Sequence, residues 1–330
     1  MNRTTAATIL GTGSFVPTRV VPNHEFAETL DTSDEWIRTR TGIRERRYAG
    51  PGDTAATMGT LAAREALVAA ALKPSEIDLI VCGTVTPDMM CPSTACLIQS
   101  YLECGTIPAF DVSAACSGFV FALSIAEQYI RAGSARHILV VGSEVLSRVS
   151  DFNDRNTCIL FGDGAGAVVL GPSRDPSRGL HTIRLYSDGS RQELIQVPSM
   201  VTPNPPPGAG VLPNLRYLRM NGREVFKFAV TKLKELVVHA REDCAAAGKE
   251  LKLIVPHQVN VRVIDAALEG MDFPPERVMV NLDKYGNTSA ASVPIALDEG
   301  VRSGRCQPGD TILLVAFGGG LTWSSALITL

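Results

Sequence analysis

Apolar residues fall along this chain in short runs separated by longer stretches with helical spacing. Ala7-Thr8-Ile9-Leu10, Ile77-Asp78-Leu79-Ile80-Val81, Phe110-Asp111-Val112 and His137-Ile138-Leu139-Val140-Val141 read as strands, as do Leu253-Ile254-Val255 and Ile312-Leu313-Leu314-Val315. Asp53 to Leu72 reads as an alanine-rich helix, Phe119 to Ala132 as a helix stopped by Gly133, and Glu224 to Ala247 as an amphipathic helix. Ile159 to Leu170 reads as a glycine turn entering a strand, its glycines serving close backbone packing because no helix follows. Six prolines and two glycines between Pro198 and Pro213 mark a long surface loop. Strands alternating with helices predict α/β sheets, mostly parallel.

The second half of the pattern replays the first. Leu79-Ile80-Val81 is matched by Leu253-Ile254-Val255, Ser113-Ala114-Ala115-Cys116 by Ser289-Ala290-Ala291-Ser292, and Ile138-Leu139-Val140-Val141 by Ile312-Leu313-Leu314-Val315. The gaps between landmarks are 34 and 36 residues, then 25 and 23. In a chain of 330 residues this predicts two fused halves, 1–175 and 176–330. Only the first copy carries a nucleophile, so the active site is expected where the halves meet.

That nucleophile is Cys116. The helix after it is apolar on nearly every face and is therefore expected at the centre of the molecule. At the head of a helix a thiol meets unsatisfied N–H groups and the positive end of the macrodipole, which predicts a lowered pKa. The stretch alone fits a reactive thiol and an inert core cysteine equally well. His257, in Pro256-His257-Gln258-Val259-Asn260, stands at the C-terminal end of a strand, where α/β sites form; without the repeat a plain core or surface histidine fits too. Asn287 precedes the second Ser-Ala-Ala and so stands near the cysteine's own place in the other half. Gly318-Gly319-Gly320 is either a tight turn or a set of backbone donors facing a ligand oxygen. Together these supply a nucleophile, a polar pair and an oxyanion site.

Composition narrows the classes. A net charge of −3 and a pI near 6.0 argue against a general nucleic-acid binder. No apolar run reaches the roughly 18 residues of a membrane span. Eight cysteines with no signal-peptide pattern ahead of them predict reduced thiols and a cytoplasmic location. Cys91, Cys96 and Cys104 have no histidine at ligand spacing, so no metal is expected. Ile9-Leu10-Gly11-Thr12-Gly13-Ser14 is not a dinucleotide fingerprint, because Val16 stands at the third glycine position and Pro17 follows. Asp31 to Arg47 holds a capped short helix with Trp36 and then five arginines within ten residues. It fits either a phosphorylated aromatic ligand or a solvated arginine face with Trp36 as packing anchor.

These motifs resemble the β-ketoacyl-acyl-carrier-protein synthase III family of thiolase-fold condensing enzymes. The resemblance rests on Asp31–Arg47, Asp111–Phe119, Pro256–Asn260, Tyr285–Pro294 and Ala316–Leu327, and covers essentially the whole length. It implies a thiolase-like α/β fold of duplicated βαβαβαββ halves, layered α-β-α-β-α. It implies that Cys116 takes an acyl group from acyl-CoA as a thioester. His257 and Asn287 then hold a malonyl thioester carbonyl and stabilise the enolate left by CO2, while backbone N–H groups of Cys116 and Gly319 hold the oxyanion.

By the same resemblance Trp36 and Arg155 sandwich the adenine of CoA, Thr32 bonds to it, Arg40 holds phosphate, Asn260 holds the pantetheine arm, and Phe161 lines the acyl pocket. The implied partners are acyl-CoA, malonyl-acyl carrier protein and a second copy in a homodimer, with no cofactor, metal, nucleic acid or membrane. Four positions depart from the family pattern. Cys91 stands where acetyl-preferring relatives donate a bulky aromatic across the dimer to floor the primer pocket, which predicts longer or bulkier primers. Lys227 and Arg262 remain as carrier-protein contacts, but Glu269 and Gly270 replace a Lys pair. Val259 replaces the usual Ala. The expected activity is condensation that starts fatty-acid chains; the alternative is a condensing enzyme of a specialised, polyketide-type pathway with another acceptor.

Overall fold

A computed structural model describes residues 6–173, 175, 177–198 and 217–330. The loop expected between Pro198 and Pro213 lies, apart from Pro198, outside the described residues.

The first series of elements opens with β1 (Ala7–Phe15), β2 (Arg19–Pro22), α1 (Asn23–Ala27), α2 (Asp34–Thr41) and β3 (Glu45–Tyr48). It continues with α3 (Ala55–Ala70), β4 (Leu79–Gly83), α4 (Thr94–Leu102), β5 (Ala109–Val112), α5 (Gly118–Arg131), β6 (Ile138–Val145) and β7 (Asp163–Pro172). The second series begins with β8 (Gly179–Ser187), β9 (Ile195–Gln196), β10 (Arg219–Met220), α6 (Gly222–Ala246) and β11 (Leu251–Pro256). It ends with α7 (Val261–Leu268), α8 (Leu282–Tyr285), α9 (Ser292–Arg302), β12 (Thr311–Gly318) and β13 (Thr322–Thr329).

Two large sheets result, ordered β1-β7-β6-β4-β5 and β11-β12-β13-β8, beside the two-stranded pairs β2-β3 and β9-β10. At the free edge of β11, Val278 bridges Ile254 in parallel, where the first sheet has its fifth strand. The sheets are mixed rather than mostly parallel. Among the described strands only β4–β5, β4–β6 and β11–β12 run parallel, while β7 and β13 lie antiparallel to both of their neighbours. The reason is connectivity: β4, β5 and β6 are joined through crossover helices, whereas β7 and β13 follow β6 and β12 with no such helix and return beside them.

Helices α3 and α4 pack on the outer face of the first sheet, α6 and α7 on the outer face of the second, and α5 and α9 lie between the sheets. That central placement explains why α5 is apolar on most faces. Phe119 and Leu123 of α5 and Val293 and Leu297 of α9 are buried in one cluster with Val81 and Val140 of the first sheet and Val255 and Leu314 of the second. Gly133 follows the end of α5 with φ +71°, the left-handed stop that the sequence predicts. Gly13 lies within β1, and a Cβ there would fall 2.3 Å from the Ala62 carbonyl oxygen of α3. The Gly-x-Gly pair therefore seats a helix and holds no pyrophosphate.

The duplication is more regular than the sequence match. Single 3-10 turns, Ala115–Ser117 and Ser289–Ala291, lead into α5 and α9. Each begins on a non-glycine residue in the left-handed region, Ala115 at φ +47° and Ser289 at φ +49°. Ala115, not Ser113, is thus the counterpart of Ser289, and one offset of 174 positions relates Leu79 to Leu253, Ala115 to Ser289 and Ile138 to Ile312. The counterpart of Cys116 is Ala290. Left-handed backbone at a non-glycine residue is strained, and here it turns the chain abruptly from strand to helix, so that residue 116 projects where the two helix heads meet.

Candidate active site

Cys116 lies on the turn before α5 rather than within its first helical turn. It lines a cavity of about 750 Å³ together with His257, Asn287, Phe161, Cys91, Gly318 and Gly319. Residues far apart in the sequence and contributed by both sheets therefore converge on one sulfur. The end of β12 approaches that sulfur's own backbone so closely that a Cβ on Gly318 would lie 2.7 Å from Cys116 N. Thr322 Oγ1 donates to Ala114 O at 3.0 Å and pins the final turn to the nucleophile's loop.

His257 extends from the end of β11. Its backbone N–H donates to Val315 O at 2.7 Å, and its ring meets Phe317 edge-on at 5.4 Å. Complete burial holds the imidazole neutral, its pKa lowered to about 3. Nδ1 lies 2.6 Å from Ser292 Oγ, which also receives the Gln258 N–H at 3.5 Å. Accepting that N–H leaves Oγ its own proton for Nδ1, and in the tautomer where the Ser292 hydroxyl donates to Nδ1 the ring proton stands on Nε2. Ser292 Oγ thus holds the ring through Nδ1, a role that spacing alone does not reveal.

Asn287 is fixed by its backbone and by one end of its carboxamide. Its N–H donates to Leu160 O at 2.8 Å, and its carbonyl accepts from Gly162 N at 3.0 Å. Oδ1 accepts from Ser289 N at 2.8 Å, which leaves the Nδ2 group as the donor open to a ligand. The cavity therefore presents a sulfur and two neutral N–H donors, with no strong base among the three. Such an arrangement suits an oxygen that becomes negative during reaction.

The thiol itself corrects an expectation. Burial pushes Cys116 up to about 12, while a hydrogen bond from Ser289 and the backbone act weakly in the opposite direction. The helix end, worth about 0.3–1 kcal/mol to an anion, does not overcome the loss of water around a thiolate at the cavity floor. Cys116 rests as the thiol.

Three carboxylates, Glu144 buried and Asp88 and Asp111 half-buried, shape the wall beside Cys91. Glu144 Oε2 accepts from Thr84 Oγ1 (3.2 Å), Val85 N (3.1 Å), Thr86 N (3.2 Å) and Thr86 Oγ1 (2.6 Å). Asp88 accepts from Thr54 Oγ1 and Ala56 N at the head of α3, and Asp111 from Thr94 N and Ala95 N at the head of α4. The loop bearing Met89, Met90 and Cys91 is therefore anchored on both sides while its tip stands exposed. None of these acids stood out in the sequence, because each acts on backbone distant along the chain.

A second groove, of about 620 Å³, is lined by Trp36, Arg40, Asn260, Arg262 and Lys227. It shares Met220, Val225 and Val259 with the wall of the sulfur-bearing cavity, so the two adjoin. Ser33 caps α2 by accepting from Trp36 N at 3.1 Å, and Gly42 ends it in the left-handed region, which sets Trp36 and Arg40 on one short rigid helix. Arg40 and Arg155 lie 4.6 and 5.3 Å from the Trp36 ring, and Arg155 also donates to the Asp31 carboxylate at 2.9 Å. A ring inserted between Trp36 and Arg155 must first lift the guanidinium away. Among the described residues Thr32 Oγ1 has no hydrogen-bond partner.

Asn260 is already engaged. It donates to Arg40 O at 3.0 Å and caps α7 by accepting from Arg262 N at 2.9 Å. Lys227 is paired with Glu224 at 2.8 Å. The basic stretch is not one face: Arg38 pairs with Asp34, Arg47 pairs with Glu45, and Arg46 is fully buried.

All eight cysteines are free, and among the described residues no helix is long and apolar enough to cross a membrane.

Family models of 3-oxoacyl-[acyl-carrier-protein] synthase III and of its C-terminal part match residues 110–189 and 242–330. The chain is 48% identical over 320 residues to β-ketoacyl-[acyl-carrier-protein] synthase III of Aquifex aeolicus, covering 97% of this chain and 98% of that one. The crystal structure of 3-oxoacyl-[acyl-carrier-protein] synthase III from Aquifex aeolicus superposes with a TM-score of 0.89 at 47% identity, over 98% of this chain and 100% of the other. The priming β-ketosynthase of the R1128 polyketide pathway superposes with a TM-score of 0.89 at 39% identity, over 100% of this chain and 98% of the other. The layered duplicated fold, the cysteine at the meeting of its halves and identity at this level along nearly the whole length agree: this chain belongs to the β-ketoacyl-[acyl-carrier-protein] synthase III family of thiolase-fold condensing acyltransferases.

Proposed function

We propose that the protein joins an acyl-CoA primer to malonyl-acyl carrier protein, releasing CoA and CO2 and starting a fatty-acid chain, with Cys116, His257 and Asn287 as its catalytic residues. The observation that carries this reading is that one cavity brings the Cys116 sulfur together with two neutral N–H donors from the other half. In the first step the Cys116 sulfur attacks the acyl-CoA carbonyl, the C–S bond to CoA breaks, and CoA leaves as the thiol with the proton Cys116 gave up. In the second, His257 Nε2–H and Asn287 Nδ2–H bind the malonyl thioester oxygen. The bond to the malonyl carboxylate breaks, CO2 departs, and the electron pair becomes an enolate held by those donors. The enolate carbon attacks the acyl carbonyl, the oxyanion rests on the N–H groups of Cys116 and Gly319, and the Cys116 sulfur leaves and regains a proton. Loss of CO2 replaces deprotonation at carbon, so a neutral histidine suffices.

The adjoining groove is the proposed seat of CoA, with Thr32, Trp36, Arg40, Arg155 and Asn260 around it. Its placement at the mouth of the cavity and the unpartnered Thr32 hydroxyl support this. Lys227 and Arg262, on the same groove, are proposed contacts for the acidic carrier protein. A homodimer is proposed on the exposed apolar side chains of Met89 and Met90, 45% and 75% accessible, beside Cys91. The polyketide-type alternative is not favoured, since identity to the polyketide priming enzyme is 39% against 47% for the Aquifex synthase III.

Two expected results follow from the site. Cys91, rather than a bulky ring, lines the cavity beside Val85, Leu146 and Phe161, so acyl-CoAs longer or bulkier than acetyl should load onto Cys116. Intact-mass analysis after exposure to a series of acyl-CoAs reads this directly, and an adduct with acetyl alone would overturn it. The pH response should separate the two steps. Because Cys116 is pushed up to about 12, its thiolate fraction, and with it the loading rate, should rise roughly tenfold per pH unit near neutrality. The decarboxylation step should stay flat there, because His257, lowered to about 3, is already neutral. A loading rate independent of pH between about 6 and 8 would contradict the first assignment, and decarboxylation that falls as pH rises through about 6.5 would contradict the second.

A further inference from the structure

Arg46 of β3 is fully buried, and among the described residues no carboxylate lies within ion-pair distance of it. Burial lowers its pKa to about 10, and its Nε has no partner. Burying an unpaired charge is costly, and an apolar side chain of like size would often serve stability as well. What the guanidinium does is join three segments. Its Nη1 donates to Val21 O at 3.1 Å and Asn23 Oδ1 at 2.8 Å, and its Nη2 donates to Ile159 O at 2.5 Å.

Each end of this fork leads to a functional element. Ile159 opens the segment whose Leu160 O and Gly162 N hold the two backbone groups of Asn287 and whose Phe161 bridges Asn287 directly. The stem of Arg46 supports the same spot, for Cβ atoms on Gly162 and Gly286 would lie 3.1 and 3.2 Å from its own Cβ. In the other direction Asn23 Nδ2 donates to Asp34 Oδ1 at 2.9 Å and to Ile43 O at 2.8 Å. Asp34 is the first residue of α2, the helix that carries Trp36 and Arg40.

We propose that Arg46 is a positioning residue for Asn287: through Ile159–Gly162 it sets where the Asn287 carboxamide stands in the cavity, and through Asn23 it ties that placement to α2. This rests on the role given above to Asn287. Loading of Cys116 needs no help from the carboxamide, whereas decarboxylation does, so a fault in Arg46 should appear in one half-reaction and not in the other.

The test compares Arg46→Met and Arg46→Lys with the parent protein. Two rates are measured: acyl transfer from acyl-CoA to Cys116, and CO2 release from malonyl-acyl carrier protein by the loaded enzyme. The expected result is loading, at saturating acyl-CoA, within about threefold of the parent and CO2 release lowered about 10- to 100-fold, the scale of a small misplacement of a reacting group. In an Asn287→Ala background Arg46→Met should add little, since the two act in series. Equal loss of both half-reactions, unchanged CO2 release, or additive losses in the double variant would overturn the proposal. Should the Met variant fail to fold, Arg46→Lys keeps a charge but not the two-armed fork, and decides by the same rates. Should Asn287→Ala alone release CO2 normally, the role of Asn287 fails, whatever Arg46 does.

Discussion

Cys116→Ala should remove condensation altogether, leaving any residual CO2 release uncoupled from product. The alanine keeps the 3-10 turn and the approach of Gly318, and so leaves the cavity intact, but no sulfur remains to carry the acyl group. Removing a covalent nucleophile from an assembled site costs on the order of 10⁴-fold or more. The measurement is β-ketoacyl product formed from acyl-CoA and malonyl-acyl carrier protein, with the folded state checked by thermal unfolding. A variant that still forms product within about tenfold of the parent rate would remove Cys116 from the mechanism.

The second large effect is selective. His257→Ala and Asn287→Ala should each leave acyl loading nearly intact while lowering decarboxylation by about 10²–10³-fold, the usual loss for one preorganised donor to a developing oxyanion. The geometry gives the reason. With the Ser292 hydroxyl donating to Nδ1, His257 keeps Nε2–H, and Ser289 N at Oδ1 leaves Nδ2–H to Asn287. Each variant deletes one donor, and neither touches the sulfur. Asn287→Asp is the sharper probe: it keeps the shape and the bond from Ser289 N but replaces the donor with an acceptor, so it should be no better than alanine. Loss of loading in parallel with decarboxylation would show that these residues serve the thiol instead.

Much of this site was legible in the sequence because its parts sit at boundaries where residue chemistry changes abruptly. Cys116 follows a strand and precedes an apolar helix, His257 follows a strand, and Asn287 precedes the second copy of the small-residue turn. The repeat turned three isolated hints into one site. Its register was two residues out, because serines and alanines match one another at several offsets, whereas the left-handed residues Ala115 and Ser289 match at one. The thiol's direction of shift was misread for a different reason. A helix end is a local feature visible in sequence, but the burial that dominates Cys116 involves chain as distant as Gly318, some 200 positions away. The same holds for Arg46, counted among surface arginines by its neighbours in sequence and buried by segments more than 100 positions distant. Mixed rather than parallel sheets followed from connections that strand patterns do not specify.

The central claim is that two neutral donors and one sulfur perform decarboxylative carbon–carbon bond formation. The most direct measurement is a single turnover of protein preloaded with acyl group, followed after addition of malonyl-acyl carrier protein by mass at Cys116 and by CO2 together. The account predicts one CO2 released for each acyl group that leaves Cys116, with the acyl carbons recovered in β-ketoacyl-carrier protein. Acyl groups leaving as free acid without CO2 would show hydrolysis at this site and contradict it.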